Sequence, residues 1–406
     1  MSHENNLSKI TITRRDFIKT SIKSLLAIAV SGPLLFNRGY SKGMDEVKIG
    51  YIPITDASPL LVAHALNLFK EEGLKVKRPV LIRSWSALVE AFLSGKVNLV
   101  HLLLPIPIWL RYNNGTPVKI IAWNHTNGSA LTIGEDSDIK TFSDLGGKQI
   151  AVPYWYSMHN VILQLGLRKH GLKPVIKPQT AEWVKNEVNL FILPPPEMPL
   201  ALAGNKIDGY IVAEPFNALA EVKMNAKILR FTGDIWKSHP CCTVVVKESM
   251  IKSSPVFTQK ITNAIVRAQH WILKNRSQTA KILSKDGKNY LPVPEKVLLR
   301  VFNGYELEKY GKGNTPEAIK HPEWKMNRIG FQPYPFPSTT RFIFNEMRKT
   351  IVAGDNSFLK KYSSDFVSDD LVDVRFVKNA IMNVGRNNFP DLNLEDPWTR
   401  KEIIDV

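Results

Sequence analysis

The histidines and cysteines are the first residues to test for chemistry. Nine histidines are scattered through 406 residues, with no pair four apart that one helix face could aim at a metal. Cys241 and Cys242 are adjacent, the wrong spacing for the Cys-x-x-Cys geometry of zinc and redox sites. They read as buried thiols, with a strained vicinal disulfide as the second reading. The glycine loops that cradle phosphates or dinucleotides are missing, as are the Gly-x-Ser-x-Gly elbow and the His-Glu-x-x-His helix. His159 has the chemistry of a base, but no nucleophile stands at a spacing that would use it. The residues therefore predict no enzyme, no catalytic group and no metal ligand. What remains is binding. A small oxyanion taken from water needs fixed donors in exchange, and Trp, His, Lys, Ser, Thr and backbone N–H groups supply them.

The elements that would position such donors can be read from the apolar periodicity. Short β-rich runs (47–54, 76–83, 99–104, 119–123, 130–133, 149–152, 190–193, 209–213, 227–231 and 243–247) alternate with helical patterns at 58–72, 85–93 and 159–170. This alternation predicts an α/β fold with a parallel or mixed sheet covered on both faces. The last 150 residues change character, with helical patterns at 255–283, 294–311, 341–352 and 369–384 around a Pro- and Gly-rich stretch. The chain reads as two α/β units and a helical C-terminal tract.

Ligands of open α/β sheets lie beyond the carboxyl ends of the strands. The strand-to-loop junctions there hold Thr55, Trp85, Ser129, Ser157, His159, Asn160, Glu214, Trp236 and Lys237, the candidate ligand-binding residues. Trp85 directly follows an apolar run. His159 and Asn160 open a helix, where free N–H groups and the dipole favour an anion. Glu214 ends an apolar strand; a carboxylate would repel an anion, so its expected job is to hold the hinge or cleft network.

Composition sets outer bounds. With 44% hydrophobic and 22% charged residues the chain is neither disordered nor collagen-like, and two cysteines cannot make a disulfide scaffold. The net charge of +17 comes from Lys and Arg spread along the chain, without the basic stripe and interleaved aromatics of a nucleic-acid binder. Part of the charge lies in the first 43 residues. There Arg14-Arg15-Asp16-Phe17-Ile18-Lys19 precedes a short apolar stretch from Leu25 to Phe36, too short to span a membrane. This pattern resembles a twin-arginine export signal over residues 1–43, with cleavage between Asn37 and Met44 and a periplasmic or extracytoplasmic destination.

Several junctions together carry a family likeness. Gly-Tyr-Ile-Pro-Ile-Thr-Asp-Ala-Ser-Pro-Leu (50–60), Ser-Trp-Ser-Ala-Leu (84–88) and Leu-Pro-Ile-Pro (104–107) resemble solute-binding proteins of ABC importers, in the nitrate- and bicarbonate-binding branch related to sulfonate and taurine binders. The segments 152–160, 194–198, 204–217 and 236–242 extend it, so the likeness covers about residues 47–250. It implies the type II periplasmic-binding-protein fold, two α/β lobes around a ligand cleft. Lobe 1 would hold 44–132 and 242–406, lobe 2 would hold 133–241, and the hinge crossings would fall near Leu131–Glu135 and Pro240–Thr243. The resemblance further implies that Trp85 lines an anion pocket, that His159 partners the anion and that Lys237 reaches it. It implies a monomeric receptor without cofactor, calcium entering only with bicarbonate as ligand, that delivers its anion to an inner-membrane permease. Where nitrate binders resemble Asn-Gly-Gln-Gly, this chain has Asn127-Gly128-Ser129-Ala130, so Ser129 replaces a longer amide donor.

Three other readings compete. Trp155 and Tyr156 of Tyr154-Trp155-Tyr156 could stack a pyrimidine or thiamine precursor. A cytoplasmic anion-sensing regulator or a pyrimidine-synthesising enzyme could share the fold, and the export signal argues against both.

Overall fold

The structure is a computed structural model and describes residues 46–389, 392 and 395–406. The twin-arginine motif and its cleavage site lie outside these residues. Two sheets organise the chain. The first has strand order Val80–Leu81, Ile49–Tyr51, Leu99–Leu103, Cys242–Lys247, Val118–Trp123. Its first three strands are parallel, and Cys242–Lys247 runs antiparallel to both neighbours. The second sheet has order Lys173–Val175, Glu187–Ile192, Gln149–Val152, Gly209–Ala213, Ser129–Ile133, Lys227–Phe231. Again the first four strands are parallel and the strand entered from the other lobe, Ser129–Ile133, is antiparallel. Helices cover both faces, so central strands are apolar throughout rather than alternating: Gly209–Ala213 is wholly buried. Leu99–Leu103 is buried too, and places one polar ring, His101, in that layer.

The hinge lies earlier than the sequence suggests. The first crossing is 124–128, because Leu131 is already inside the second sheet, paired with Ile211 and Arg230. Residues 129–133 thus belong to the second lobe, and the boundary drawn at 132 moves. Apolar pattern alone misleads here, since the strand before the crossing and the strand after it are equally hydrophobic. Asn127 (φ 57°) and Gly128 (φ 76°) turn the chain with two successive left-handed residues, which Asn and Gly tolerate best. The return crossing runs through 232–241, and the two are bonded to each other: the N–H groups of Asn127 and Asn124 donate to the carbonyls of His239 and Cys242 (both 2.9 Å). Gly233 is required at this contact, because a Cβ there would stand 2.7 Å from the Asn127 side chain.

Two long helical patterns break at asparagines. The expected helix 58–72 is Ser58–Ala65 and Leu68–Glu71, interrupted at Asn67 with φ 61°; 255–283 is Pro255–Lys274 and Arg276–Leu283, interrupted at Asn275. The C-terminal tract is not confined to lobe 1, as the sequence division had it. Its helix Pro337–Met347 packs against Pro105–Tyr112 of one lobe and Met158–Lys169 of the other. Gln164 of lobe 2 brackets Ile351, donating to its carbonyl (2.9 Å) and accepting from its N–H (2.8 Å). Ile329–Gly330 adds a strand to Thr126–Asn127 of the hinge.

On the lobe 1 side the tract is clamped by Arg111, which donates to Asp370 (2.5 and 2.7 Å) and Glu248 (2.9 Å), while the Tyr112 hydroxyl also donates to Asp370 (2.9 Å). The Arg111 hydrogen bonds hold the Asp370 carboxyl at about 2. An acid whose pKa is lowered by folding adds stability above its unfolded value of about 3.9, and that stability fades as pH falls through the folded value. Asp370→Asn is therefore expected to lose about 1–2 kcal/mol at pH 7, a figure reduced because the pair is partly solvated. In urea titrations the gap between wild type and variant should close from pH 4 to pH 2; a gap that stays constant would show that the charge is not what matters.

Candidate functional site

At the base of the cleft the two crossings meet the strand ends of lobe 1. The short turn Thr55–Ala57 follows the strand Ile49–Tyr51, and Thr55 reaches across to lobe 2. Its N–H (2.7 Å) and hydroxyl (3.1 Å) both donate to the carbonyl of Glu214. The next residue, Asp56, is wholly buried, with Oδ2 2.8 Å from His125 Nε2 and 3.1 Å from Cys242 Sγ. Burial disfavours charge on both partners, but the Asp56 contact prevails at the ring and pushes His125 up to about 10. Ser129 and His159 meet from the lobe 2 side, Oγ to Nε2 at 2.9 Å, and the same Nε2 lies 4.0 Å from Cys241 Sγ. Burial raises the Cys241 thiol, yet the Cys242 thiol and the His159 imidazole outweigh it, holding Cys241 well below the usual thiol range.

Next to this cluster His101 and Trp85 pack edge to face, ring centroids 5.7 Å apart. Burial, then the His125 charge, push His101 down to about 3, so its ring is neutral. Its Nε2 accepts from the Ile52 N–H (3.1 Å), which leaves the proton on Nδ1. That Nδ1 and the Trp85 indole nitrogen are both buried without a partner, as are His159 Nδ1 and Thr126 Oγ1. Buried donors are almost always bonded. The adjacent unbonded nitrogens of Trp85 and His101 are therefore candidates for holding a polar ligand.

The nine candidates separate accordingly. The structure places Thr55 against the Glu214 carbonyl, Trp85 against the His101 ring, and Ser129 against His159, whose Nε2 is 4.0 Å from Cys241 Sγ. Ser157 caps the helix Met158–Lys169 by accepting from the Asn160 N–H (3.0 Å). Asn160 donates to the carbonyls of Trp155 (3.0 Å) and Ile351 (3.3 Å), so its amide secures the C-terminal tract. Glu214 accepts from the buried Arg328 (2.6 and 2.5 Å) and from the Ala218 N–H (3.0 Å), a network role. Trp236 and Lys237 are drawn elsewhere: the Trp236 indole donates to Glu402 (2.7 Å), and the Lys237 backbone bonds to Ile403 and Arg400. The C-terminal segment that claims them is 163 to 166 residues away in sequence, beyond the reach of a junction rule. The aromatic trio is also occupied. Tyr156 stacks on Trp109 (5.6 Å) and, with Trp155, borders a cavity of only 10 Å³, far too small for a pyrimidine.

Sequence reasoning missed Asp56, His101, His125 and Arg328. Asp56 lies inside the segment 50–60; a polar ring within a buried apolar strand was the available signal for His101. Asp56, His125, Cys241 and Cys242 present one donor atom each within 4.8 Å of one another. Among the described residues no helix is long and apolar enough to cross a membrane.

A model of the NMT1-like family matches residues 41–284. A nitrate/nitrite-binding protein of Nostoc sp. is 27% identical over 298 residues, 68% of this chain and 64% of that protein. The chain spans 64, 46 and 54% of the length of three curated relatives it matches. The periplasmic nitrate-binding protein from Synechocystis PCC 6803 superposes with a TM-score of 0.70 at 18% identity, covering 89% of this chain and 94% of the other. For the alkanesulfonate-binding protein from Xanthomonas axonopodis the values are 0.57, 16%, 76% and 96%. Two lobes joined by a doubly crossed hinge, with the match over 41–284, carry one conclusion: the chain has the periplasmic-binding-protein fold and belongs to the NMT1-like family.

Proposed function

We propose that this protein is an extracytoplasmic solute receptor that binds a small oxyanion, nitrate-like or a short sulfonate, and delivers it to an ABC permease without altering it. One observation carries the anion reading: the Trp85 Nε1–H and the His101 Nδ1–H are neutral donors, buried side by side, with no partner. Neutral N–H donors in a dry site suit an anion, since a carbonyl ligand would need no such cluster and a cation would be repelled by N–H groups. Relatives that bind nitrate and a structural neighbour that binds alkanesulfonates support the same class. Bicarbonate assisted by calcium fits less well, because calcium takes six to eight oxygen ligands, and Asp56 faces imidazole and thiol while Glu214 is engaged by Arg328.

The test is thermal denaturation of the mature protein with nitrate, nitrite, bicarbonate with and without calcium, taurine, alkanesulfonates and a pyrimidine. At ~100 times the dissociation constant the true ligand should add about 2.7 kcal/mol. Nitrate or a sulfonate should shift the midpoint and be recovered unchanged after long incubation; a shift with the pyrimidine alone would overturn the reading. Export through the twin-arginine route completes the proposal. Replacing Arg14 and Arg15 with lysine should retain the protein in the cytoplasm, and unchanged delivery would refute the signal.

A further inference from the structure

We propose that Asp56, His125, Cys241 and Cys242 form a buried site for a divalent ion of the zinc class, set into the hinge of the receptor. All four residues are wholly buried, and one donor atom from each lies within 4.8 Å of the others. A tetrahedral zinc with bonds of 2.0–2.3 Å places its ligands about 3.3–3.8 Å apart. The widest separation would therefore close by about 1 Å, while pairs now shorter than that spacing would open by a few tenths of an ångström. Two contacts are already at or inside that spacing, Asp56 Oδ2 to His125 Nε2 at 2.8 Å and to Cys242 Sγ at 3.1 Å.

The donor set names the class of ion. Thiolate, imidazole and a single carboxylate suit zinc and its neighbours, whereas calcium and magnesium take oxygen almost exclusively. The adjacency of the cysteines, the wrong spacing for a Cys-x-x-Cys site, is overcome by the chain path. Cys242 is the first residue of the strand Cys242–Lys247, while Cys241 still lies in the crossing. The alternation that sends neighbouring side chains to opposite faces holds only within a strand, so both thiols reach one point, and they are unbridged.

A second observation points to an ion independently of the spacing. His125 Nε2 faces the Asp56 carboxylate at 2.8 Å and also accepts the Cys242 N–H at 3.2 Å. One ring nitrogen carries either a proton or a lone pair, so it cannot serve both neighbours. Asp56 Oδ1 and His125 Nδ1 are also buried with no partner. A cation among these atoms accepts electron pairs from carboxylate, ring and thiols together, taking the place of the proton that Asp56 and His125 Nε2 would otherwise share. His159 of the other lobe closes over the cluster, 4.0 Å from Cys241 Sγ. Opening the lobes would be the route of entry, and a bound ion would pin the two crossings to the strand end of lobe 1.

The full exported chain, stripped of metal and reduced, is titrated with zinc against a chromogenic chelator and, separately, with cobalt. One zinc per chain is expected, and cobalt should give a tetrahedral spectrum with a thiolate-to-metal charge-transfer band. Removing an outer-shell partner of a metal ligand costs 10–100-fold in affinity. Removing a ligand outright, in Cys241→Ser or Cys242→Ser, should therefore weaken zinc binding by at least roughly 100-fold. His170→Ala, which alters a ring stacked on Phe142 in lobe 2, should leave it unchanged. Should the serine variants misfold, the wild type still decides: in denaturant-free thiol labelling, zinc should protect both cysteines. Substoichiometric zinc, a cobalt spectrum without the thiolate band, or labelling indifferent to zinc would each overturn the site. Anion affinity is a separate measurement, so failure of the receptor reading would leave this result standing.

Discussion

Arg328→Met is expected to destabilise the protein by about 3–5 kcal/mol, the cost of leaving buried charge without its partner. The Arg328 side chain is 1% exposed, pairs with Glu214 (2.5 Å) and Glu221 (2.8 Å), and lies 5.1 Å above the Phe231 ring. Methionine keeps much of the volume and the contact with Phe231 while removing the charge. Glu221 would keep the Tyr310 hydroxyl and the Lys309 ammonium (3.2 Å), but Glu214 would keep only a backbone N–H, that of Ala218, among the described partners. Because Arg328 belongs to the C-terminal tract and both glutamates to lobe 2, loss of the pair should also loosen the tract. The check is the urea midpoint at neutral pH, with Glu214→Gln as a milder companion. A change under about 1 kcal/mol would mean the charges are already neutralised in another way.

The largest effect on binding is expected from Trp85→Phe. This change keeps an aromatic ring against His101 and removes the indole N–H, which is buried and unpartnered without ligand. A hydrogen bond to a charged group contributes about 1.5–3 kcal/mol, so nitrate or sulfonate affinity in calorimetry should fall about 10- to 150-fold. Ligand-free stability should change by less than about 1.5 kcal/mol, since the lost packing is partly offset by no longer burying an unbonded donor. The contrast between the two measurements is the signature of a binding residue. Full affinity in the variant would move the pocket away from Trp85, and an equal loss in both would make Trp85 a packing residue only.

Among the sites, legibility followed the range of the interactions. Thr55, Trp85 and His159 stand in the segments that leave the strands Ile49–Tyr51, Val80–Leu81 and Gln149–Val152, and Ser129 opens the strand Ser129–Ile133. Their placement near one another could be anticipated because the carboxyl ends of strands in an α/β sheet converge whatever the details of packing. Ser157 was recognisable as a residue opening a helix, but its hydroxyl is used for capping, the ordinary work of serine there. Trp236 and Lys237 misled because their partners, Glu402 and Ile403, come from the far end of the chain.

By itself the sequence determined the alternation of strands and helices, the apolar layers and the strand-end junctions, since these depend on local periodicity and on which residues can be buried. Only the tertiary structure decided where the chain crosses between lobes, that the C-terminal tract spans both of them, and that Asp56, His125, Cys241 and Cys242 share one point. Those facts rest on contacts between residues up to 259 positions apart. Such contacts are fixed by the mutual packing of whole lobes, and no spacing within a single segment records them.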